Sequence, residues 1–520
     1  MRRRKKKTTN NNDNVQLDSR LAKQIDESLE GNLTVIKKTL GDASDLVIRR
    51  MTLNSSNKIK GAVLFIDGLV DKTSVQDFIL EVMMVEVPPE NISLAHVYDE
   101  IKDSALPIGE ITETNKLDDL LLRLLSGETL VLLDNETRAL SASTKGWKDR
   151  GVQETTSESV IRGPKESFTE TLRTNTALVR RKIKNPNLRI DAKKIGKVTA
   201  TDVAVLYIEG TADESVVKEL HARLDKIDID GVLESGYIEE FIEDPPYSPF
   251  PKVYYTERPD SIAGGLLEGK VAIVTDGTPN VLLVPALFVN FMQSSEDYYQ
   301  RYDIGTFIRL LRLFSFVIAL FMPSLYIAIT TFHQEMIPAP LLINLAAQRE
   351  GVPFPAFVEA VLMEATFEIL REAGVRLPKA VGSAVSIVGA LVLGESAVQA
   401  GLVSPAMVIV VALTAISSFV FPSYNMAIPV RMLRFSLMIL AATFGLYGII
   451  LGLIALVLHL CSLQSFGVPY MSPFAPLVPK DQKDVLVRFP HWGLLSRPSA
   501  TAHKNEKRTS GRNQPKEGSK

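Results

Sequence analysis

The chain has 520 residues and a formal net charge of −2, room for two to four domains, and the near-zero charge averages two unlike halves. Its single cysteine, Cys461, lies in an apolar run, which excludes internal disulfides and a multi-cysteine metal site. Before Asp276 the chain reads as a charged soluble protein, whereas from Ala380 to Pro479 the only charged residues are Glu395, Arg431 and Arg434. A stretch that long and so nearly uncharged exceeds the core of one globular domain. The pattern therefore predicts an α/β soluble head followed by an α-helical polytopic membrane domain.

RRRKKK opens the chain at Arg2–Lys7 and an Asn-rich run follows to Asn14. Residues 1–39 read as a basic, disordered leader, and residues 479–520 as a basic, disordered tail. Both ends are read as solvated arms or arms lying near anionic cytoplasmic lipid, not as nucleic-acid binders. The start has no apolar h-region, so no cleaved signal peptide is expected and the head is placed in the cytoplasm.

Within the head, AVLFIDGLVDKTSV (Ala62–Val75) aligns with AVLYIEGTADESVV (Ala204–Val217) at an offset of 142, with seven of 14 positions identical. The same offset carries Leu46 and Ile48 onto Leu188 and Ile190. It also carries Leu124, Leu125, Gly127 and Asp134 onto Leu266, Leu267, Gly269 and Asp276. Three blocks keeping one offset indicate two homologous, duplicated subdomains, at 40–145 and 160–278. Each has a short β run (LVI, LRI), a stronger one (AVLFI, AVLYI), a turn at Asp-Gly or Glu-Gly, and a helix over 74–84 or 215–227. A second helix and a final strand (ETLVLLD, KVAIVTD) close the unit. Asp67 and Glu209 fall at strand ends, where an α/β ligand site is expected, and they are the candidate head ligand site. Gly163–Pro164 and a helix rich in Arg and Lys over 168–184 link the copies; that basic face is either solvated or paired with acids of a neighbouring subunit.

Residues 279–478 form the expected membrane domain. Four spans are predicted, at 313–333, 381–402, 405–428 and 436–462, with Pro323, Pro405 and Pro422 as kinks or ends. VLLVPALFVNFM (281–292) is too short to cross and reads as re-entrant or interfacial. Residues 354–377 are amphipathic at helical spacing, with Glu364, Glu368, Arg371 and Glu372 on one side and Glu368 placed to pair Arg371 at i,i+3. This helix is expected at the interface or against the bundle, as a coupling element. Four spans put both termini in the cytoplasm and leave Arg431 and Arg434 on the outer side, against the positive-inside tendency.

The second span carries Gly382, Ser386, Gly389, Leu393 and Ser396 on one face, a stripe that lets another helix approach closely. The same helix carries Glu395 and Gln399 one turn apart, and an ionisable residue inside a span faces protein or water. Val388, Leu391 and Val392 precede Glu395 by about a turn. In an oligomer, Ser386, Gly389, Leu391, Val392, Glu395 and Gln399 are candidates to line a pore, with the apolar pair as a dewetting gate. The alternative is an interior helix whose Glu395 bonds a neighbour. No P-loop, G-x-G-x-x-G or G-x-S-x-G occurs, and the six histidines have no metal-ligand spacing. No enzyme, cofactor or metal site is expected, and His459 reads as a core histidine.

Several long stretches carry a family resemblance: RGPKESFTETLRTNTALVRRKIKNPNLRI from Arg162, FPKVYYTERPD from Phe250, GKVAIVTDGTPNVLLVPALFVNFMQSSEDYY from Gly269, LAAQREGVPFPAFVEAVLMEATFEILREAGVRLP from Leu345, GSAVSIVGALVLGESAVQAGLVSP from Gly382 and FGVPYMSPFAP from Phe466. Over roughly 40–478 the chain resembles the A subunit of the GerA-type nutrient germinant receptors of spore-forming Firmicutes. The resemblance implies a multi-pass protein of the spore inner membrane with its head in the spore core. It implies partnership with a transporter-like B subunit and a lipoprotein C subunit. It also implies homo-oligomerisation into a cation channel that opens on germinant binding, or, as the alternative, a ligand-binding or scaffold subunit that signals to a separate channel.

Overall fold

The computed structural model describes residues 24–52, 59–84, 111–146, 158, 160–244, 247–376, 392–502 and 505–509. Among them, those up to Ile242, Tyr255–Val284 and Thr501–Glu506 form one compact unit. Glu243–Tyr254, Pro285–Ala500 and the residues from Lys507 form another.

The first unit contains two five-stranded sheets. β1 (Leu46–Thr52), β2 (Lys60–Ile66), β3 (Ile111–Thr114), β4 (Thr129–Leu133) and β5 (Ala139–Ala142) lie in the order β1-β2-β4-β5-β3. β6 (Leu188–Ile195), β7 (Thr201–Ile208), β8 (Tyr254–Thr256), β9 (Val271–Thr275) and β10 (Val281–Val284) lie in the order β6-β7-β9-β10-β8. Leu46 stands opposite Ile66 and Leu188 opposite Ile208, so the antiparallel register recurs at the sequence offset. The central strands are covered on both faces, which is why they read as unbroken apolar runs. In the first sheet, Leu64, Ile66, Leu130 and Leu132 pack against the helices Leu29–Leu40 and Leu117–Leu124. Val63, Phe65, Val131 and Leu133 pack on the other face against Val75 and Phe78.

Two expectations about the head are corrected. Part of the supposed disordered leader is helix: Leu29–Leu40 is capped by Ser28 Oγ on Gly31 N (3.2 Å) and ends at Gly41 in the left-handed region (φ 66°). Its Leu29, Leu33, Ile36 and Leu40 recur at helical spacing and are buried, an apolar stripe that the polar Asn-rich start obscures. Residues 281–284 are not re-entrant: they are β10, fully buried and paired with β9, so the second sheet extends past 278. A four-residue apolar run in a doubly covered strand has the composition of a short membrane segment, and only its hydrogen-bond partner distinguishes the two.

The aligned acids have a structural role. Asp134 Oδ1 accepts Leu29 N (3.1 Å), and Asp276 Oδ1 accepts Leu172 N (2.9 Å). Each acid at the end of a central strand thus takes an otherwise orphan N–H at the start of a covering helix.

The second unit is helical. Among the described residues, Tyr302–Thr331 and Tyr424–Ser462 are long and apolar enough to cross a membrane. The second of these is a hairpin. Gly445 has non-helical backbone angles (φ 60°, ψ −141°), and a Cβ on Gly452 would lie 2.6 Å from Leu437 Cδ2. Fifteen residues along one straight helix span about 22 Å. Met426 and Leu460 likewise share one buried cluster. The arms are 424–444 and 446–462. The predicted span 436–462 therefore crosses a turn, and 405–428 is interrupted, because the helix Pro405–Ser418 stops before Pro422 and is only about 21 Å long. Of 381–402, residues 392–399 are helical and 381–391 lie outside the described residues. The tail is not disordered over 479–500: Val485 and Leu494 are buried, and Asp481–Asp484 and His491–Gly493 form 3-10 turns.

A Cβ at Gly445 would meet His333 Cε1 at 2.8 Å and Phe332 Cβ at 3.0 Å. Gly445→Ala adds that clash to a positive-φ cost of about 1–2 kcal/mol. It is expected to lower the thermal midpoint in detergent by more than Gly467→Ala, where φ is 78° but nothing lies within 4 Å. Equal losses would show that the turn tolerates a side chain.

Candidate functional site

Within the helical unit, one set of charges converges on the helix Ala356–Arg376. Glu364 and Arg434 are both buried, and Glu364 Oε2 meets Arg434 Nη1 at 2.5 Å, while Arg434 Nε donates to Ala319 O at 2.8 Å. One turn on, Glu368 Oε2 meets Arg431 Nη1 at 2.6 Å. Rising numbers on one helix pair with falling numbers on the other, so 356–376 and 424–444 are antiparallel. Glu359, also fully buried, accepts Ser404 N (2.9 Å) and Ser404 Oγ (2.8 Å) at the start of the helix Pro405–Ser418, with Arg349 Nη2 at 3.3 Å. One helix is thus bound through three carboxylates to the elements that carry Ser404, Arg431, Arg434 and, through Arg434, Ala319.

Arg371 does not pair with Glu368. Its Nη1 donates to Ser418 Oγ (3.3 Å), and its guanidinium lies 5.1 Å from the Phe419 ring centre and 6.0 Å from that of Tyr424. The local i,i+3 pairing gives way because Arg431, 63 positions away, presents a closer charge from the antiparallel helix. Arg431 and Arg434 are therefore not loop charges: each neutralises a carboxylate within the bundle. The network is incompletely satisfied, since Glu364 Oε1, Glu368 Oε1 and Arg434 Nη2 are buried without a hydrogen-bond partner. Buried ion pairs of this kind are expensive to assemble, and removing one partner is strongly destabilising. Glu359 and its partner Ser404 were not singled out in the sequence; an acid five positions before Glu364 and nine before Glu368 on one amphipathic helix is the signal that could have found it.

Of the pore candidates, Val392, Glu395 and Gln399 are exposed on the helical stretch 392–399, where Gln399 Nε2 donates to Glu395 Oε1 (3.2 Å). Gly394 is buried on the opposite side, facing Val408. Ser386, Gly389 and Leu391 lie outside the described residues. His459 Nε2 meets Ser248 Oγ at 2.9 Å.

In the head, Asp67 and Glu209 are each engaged by cations. Asp67 lies 3.4 Å from Lys72 Nζ and 3.6 Å from Arg173 Nε, and Glu209 pairs with Arg189. Asp67 also borders a cavity of about 160 Å³ whose wall includes Arg49, Lys72, Val47 and Phe65. The basic helix before the second sheet, Leu172–Lys182, is not simply solvated: its last turn is engaged within the head. Arg180 is fully buried and grips Asp45 with two bonds (Nε–Oδ2 2.6 Å, Nη2–Oδ1 2.9 Å), tying the second sheet's helix to the first sheet's entry.

Residues 34–500 match the family described as Bacillus/Clostridium GerA spore germination protein. The chain is 51% identical over 484 residues to Spore germination protein KA of Bacillus subtilis (strain 168), covering 93% of this chain and 88% of that one. It is 42% identical over 474 residues to Spore germination protein GerLA of Bacillus cereus, covering 90% and 96%. It is 44% identical over 500 residues to the uncharacterized membrane protein YfkQ of Bacillus subtilis (strain 168), covering 96% of each. Among solved structures it is similar to the N-terminal domain of the A subunit of the Bacillus megaterium spore germinant receptor GerK3, at 40% identity and a TM-score of 0.41, over 51% of this chain and 98% of that one. The chain belongs to the GerA family of spore germination proteins.

Proposed function

We propose that this chain is the A subunit of a nutrient germinant receptor, not an enzyme, and that it acts in the spore inner membrane as one subunit of an oligomeric, germinant-gated cation channel. It works there with a transporter-like B subunit and a lipoprotein C subunit. The observation that carries the reading is the pair of ion pairs, Glu364–Arg434 and Glu368–Arg431, that join the apolar helices 356–376 and 424–444. Charges placed in a lipid-embedded bundle are costly and serve conduction or its control. A partner that shifts the helix 356–376 would move every element its carboxylates hold.

The helix directions support a multi-pass topology with both termini on one side. Arg434 lies level with Ala319, and Gly445 level with Phe332 and His333, so 302–331 and 424–444 run in the same direction and 446–462 returns. One descending pass within 332–423 completes an even count. The shared strand order and register of the two sheets support a duplicated head.

The test is potassium efflux from vesicles holding this chain with its B and C partners, before and after candidate germinants. Nutrient-triggered efflux is expected, reduced by Glu395→Gln and made constitutive by Leu391→Ala or Val392→Ala. Efflux indifferent to all three variants would move the pore elsewhere. The cavity at Asp67 favours the alternative, a ligand-binding head that signals to a separate channel. Loss of nutrient response in Asp67→Asn, with conduction intact, would select it.

A further inference from the structure

Five large apolar side chains of the C-terminal segment, Leu477, Val487, Phe489, Trp492 and Leu495, are exposed. The segment is anchored where the apolar helix Tyr302–Thr331 begins. Arg309 Nη1 donates to Asp484 O (2.8 Å) and meets Asp484 Oδ1 (3.0 Å), and Arg488 N donates to Thr306 Oγ1 (3.1 Å). Tyr302, Ile304 and Phe307 of that helix are themselves exposed and continue the apolar surface. The segment's charges are sorted. Asp481 takes Ser499 N and Oγ, and Asp484 takes Arg309, while Lys480, Lys483, Lys507 and Arg508 are exposed. Arg508 N donates to Leu495 O (2.9 Å), which sets two cations beside an exposed leucine.

Trp and Phe interleaved with Lys, at the level where an apolar helix begins, is the chemistry of the membrane–water interface, and exposed cations that outnumber the exposed acids Asp303 and Glu506 complement an anionic leaflet. We infer that residues 477–497 with Lys507 and Arg508 form a docking surface for an anionic lipid bilayer, seating the base of the 302–331 helix at the headgroups. This rests on the membrane reading above.

The chain has two tryptophans, Trp147 and Trp492, so Trp147→Phe leaves Trp492 as a single reporter. The full-length variant is reconstituted in nanodiscs of phosphatidylcholine, with or without phosphatidylglycerol, carrying lipids brominated on the acyl chain. Trp492 fluorescence is expected to be quenched, by about twofold more with phosphatidylglycerol, and that excess is expected to vanish when Lys480, Lys483, Lys507 and Arg508 become Gln. Unquenched emission from incorporated protein overturns the inference and leaves the membrane reading standing, as does shielding that appears only on adding a protein partner. Quenching indifferent to phosphatidylglycerol also overturns it. A chain that does not enter the disc overturns both.

Discussion

Arg434→Ala is expected to cost about 3–5 kcal/mol of folding stability, because it leaves the fully buried Glu364 carboxylate unpaired in the apolar unit. Germinant-triggered cation release should disappear with it, since the protein falls in abundance. That result alone does not separate architecture from coupling. The double variant Glu364→Leu/Arg434→Met does, because replacing both members of a buried pair with apolar groups of similar volume is often neutral or stabilising by about 1–4 kcal/mol. We expect its thermal midpoint in detergent to match or exceed that of the parent chain while nutrient-triggered potassium release from spores is lost. A double variant that is stable and responds normally would reduce the pair to architecture and remove it from the gating path.

Arg180→Ala is expected to be the most damaging single change in the head. It strands Asp45, which receives both arms of the guanidinium, and frees Leu188 O, to which Nη1 donates at 3.2 Å. The expected loss is again about 3–5 kcal/mol. At roughly 2–4 °C per kcal/mol for a unit of this size, the melting transition drops by roughly 6–20 °C. Lys184→Ala, exposed just past the same helix, serves as the control and should shift the transition by at most about 0.5 kcal/mol equivalent. If both variants melt together, Arg180 is not the tie between the sheets.

The α/β character of the head was legible because each central strand is covered on both faces and therefore appears as an apolar run, as in Ala62–Ile66 and Val203–Leu206. The helix Leu29–Leu40 was hidden by its polar neighbourhood, although Leu29, Leu33, Ile36 and Leu40 have helical spacing. The boundaries of the apolar helices were the least legible part. Hydropathy averages over a window, and from Tyr424 to Ser462 it has no means of registering a reversal at a single glycine. Gly445 looks in the sequence like any other small residue of that stretch, and only its positive φ and its contact with His333 mark the turn.

The candidate site divides in the same way. Composition by itself determined that Glu364, Glu368, Arg431 and Arg434 are anomalous, because an isolated charge in an apolar environment needs a partner. Which charge pairs with which was decided only by tertiary structure. Glu368 has Arg371 within reach along its own helix, yet the antiparallel packing of 356–376 against 424–444 presents Arg431 to it and sends Arg371 to Ser418 and the Phe419 ring. Asp45 and Arg180 carry no sequence signal at all, being 135 positions apart in stretches with many charges. The physical reason is common to all of them. Burial and local period are properties of neighbouring residues, so the chain displays them directly. Ion-pair partners, hairpin reversals and sheet edges are properties of distance, and distance exists only once the chain has folded.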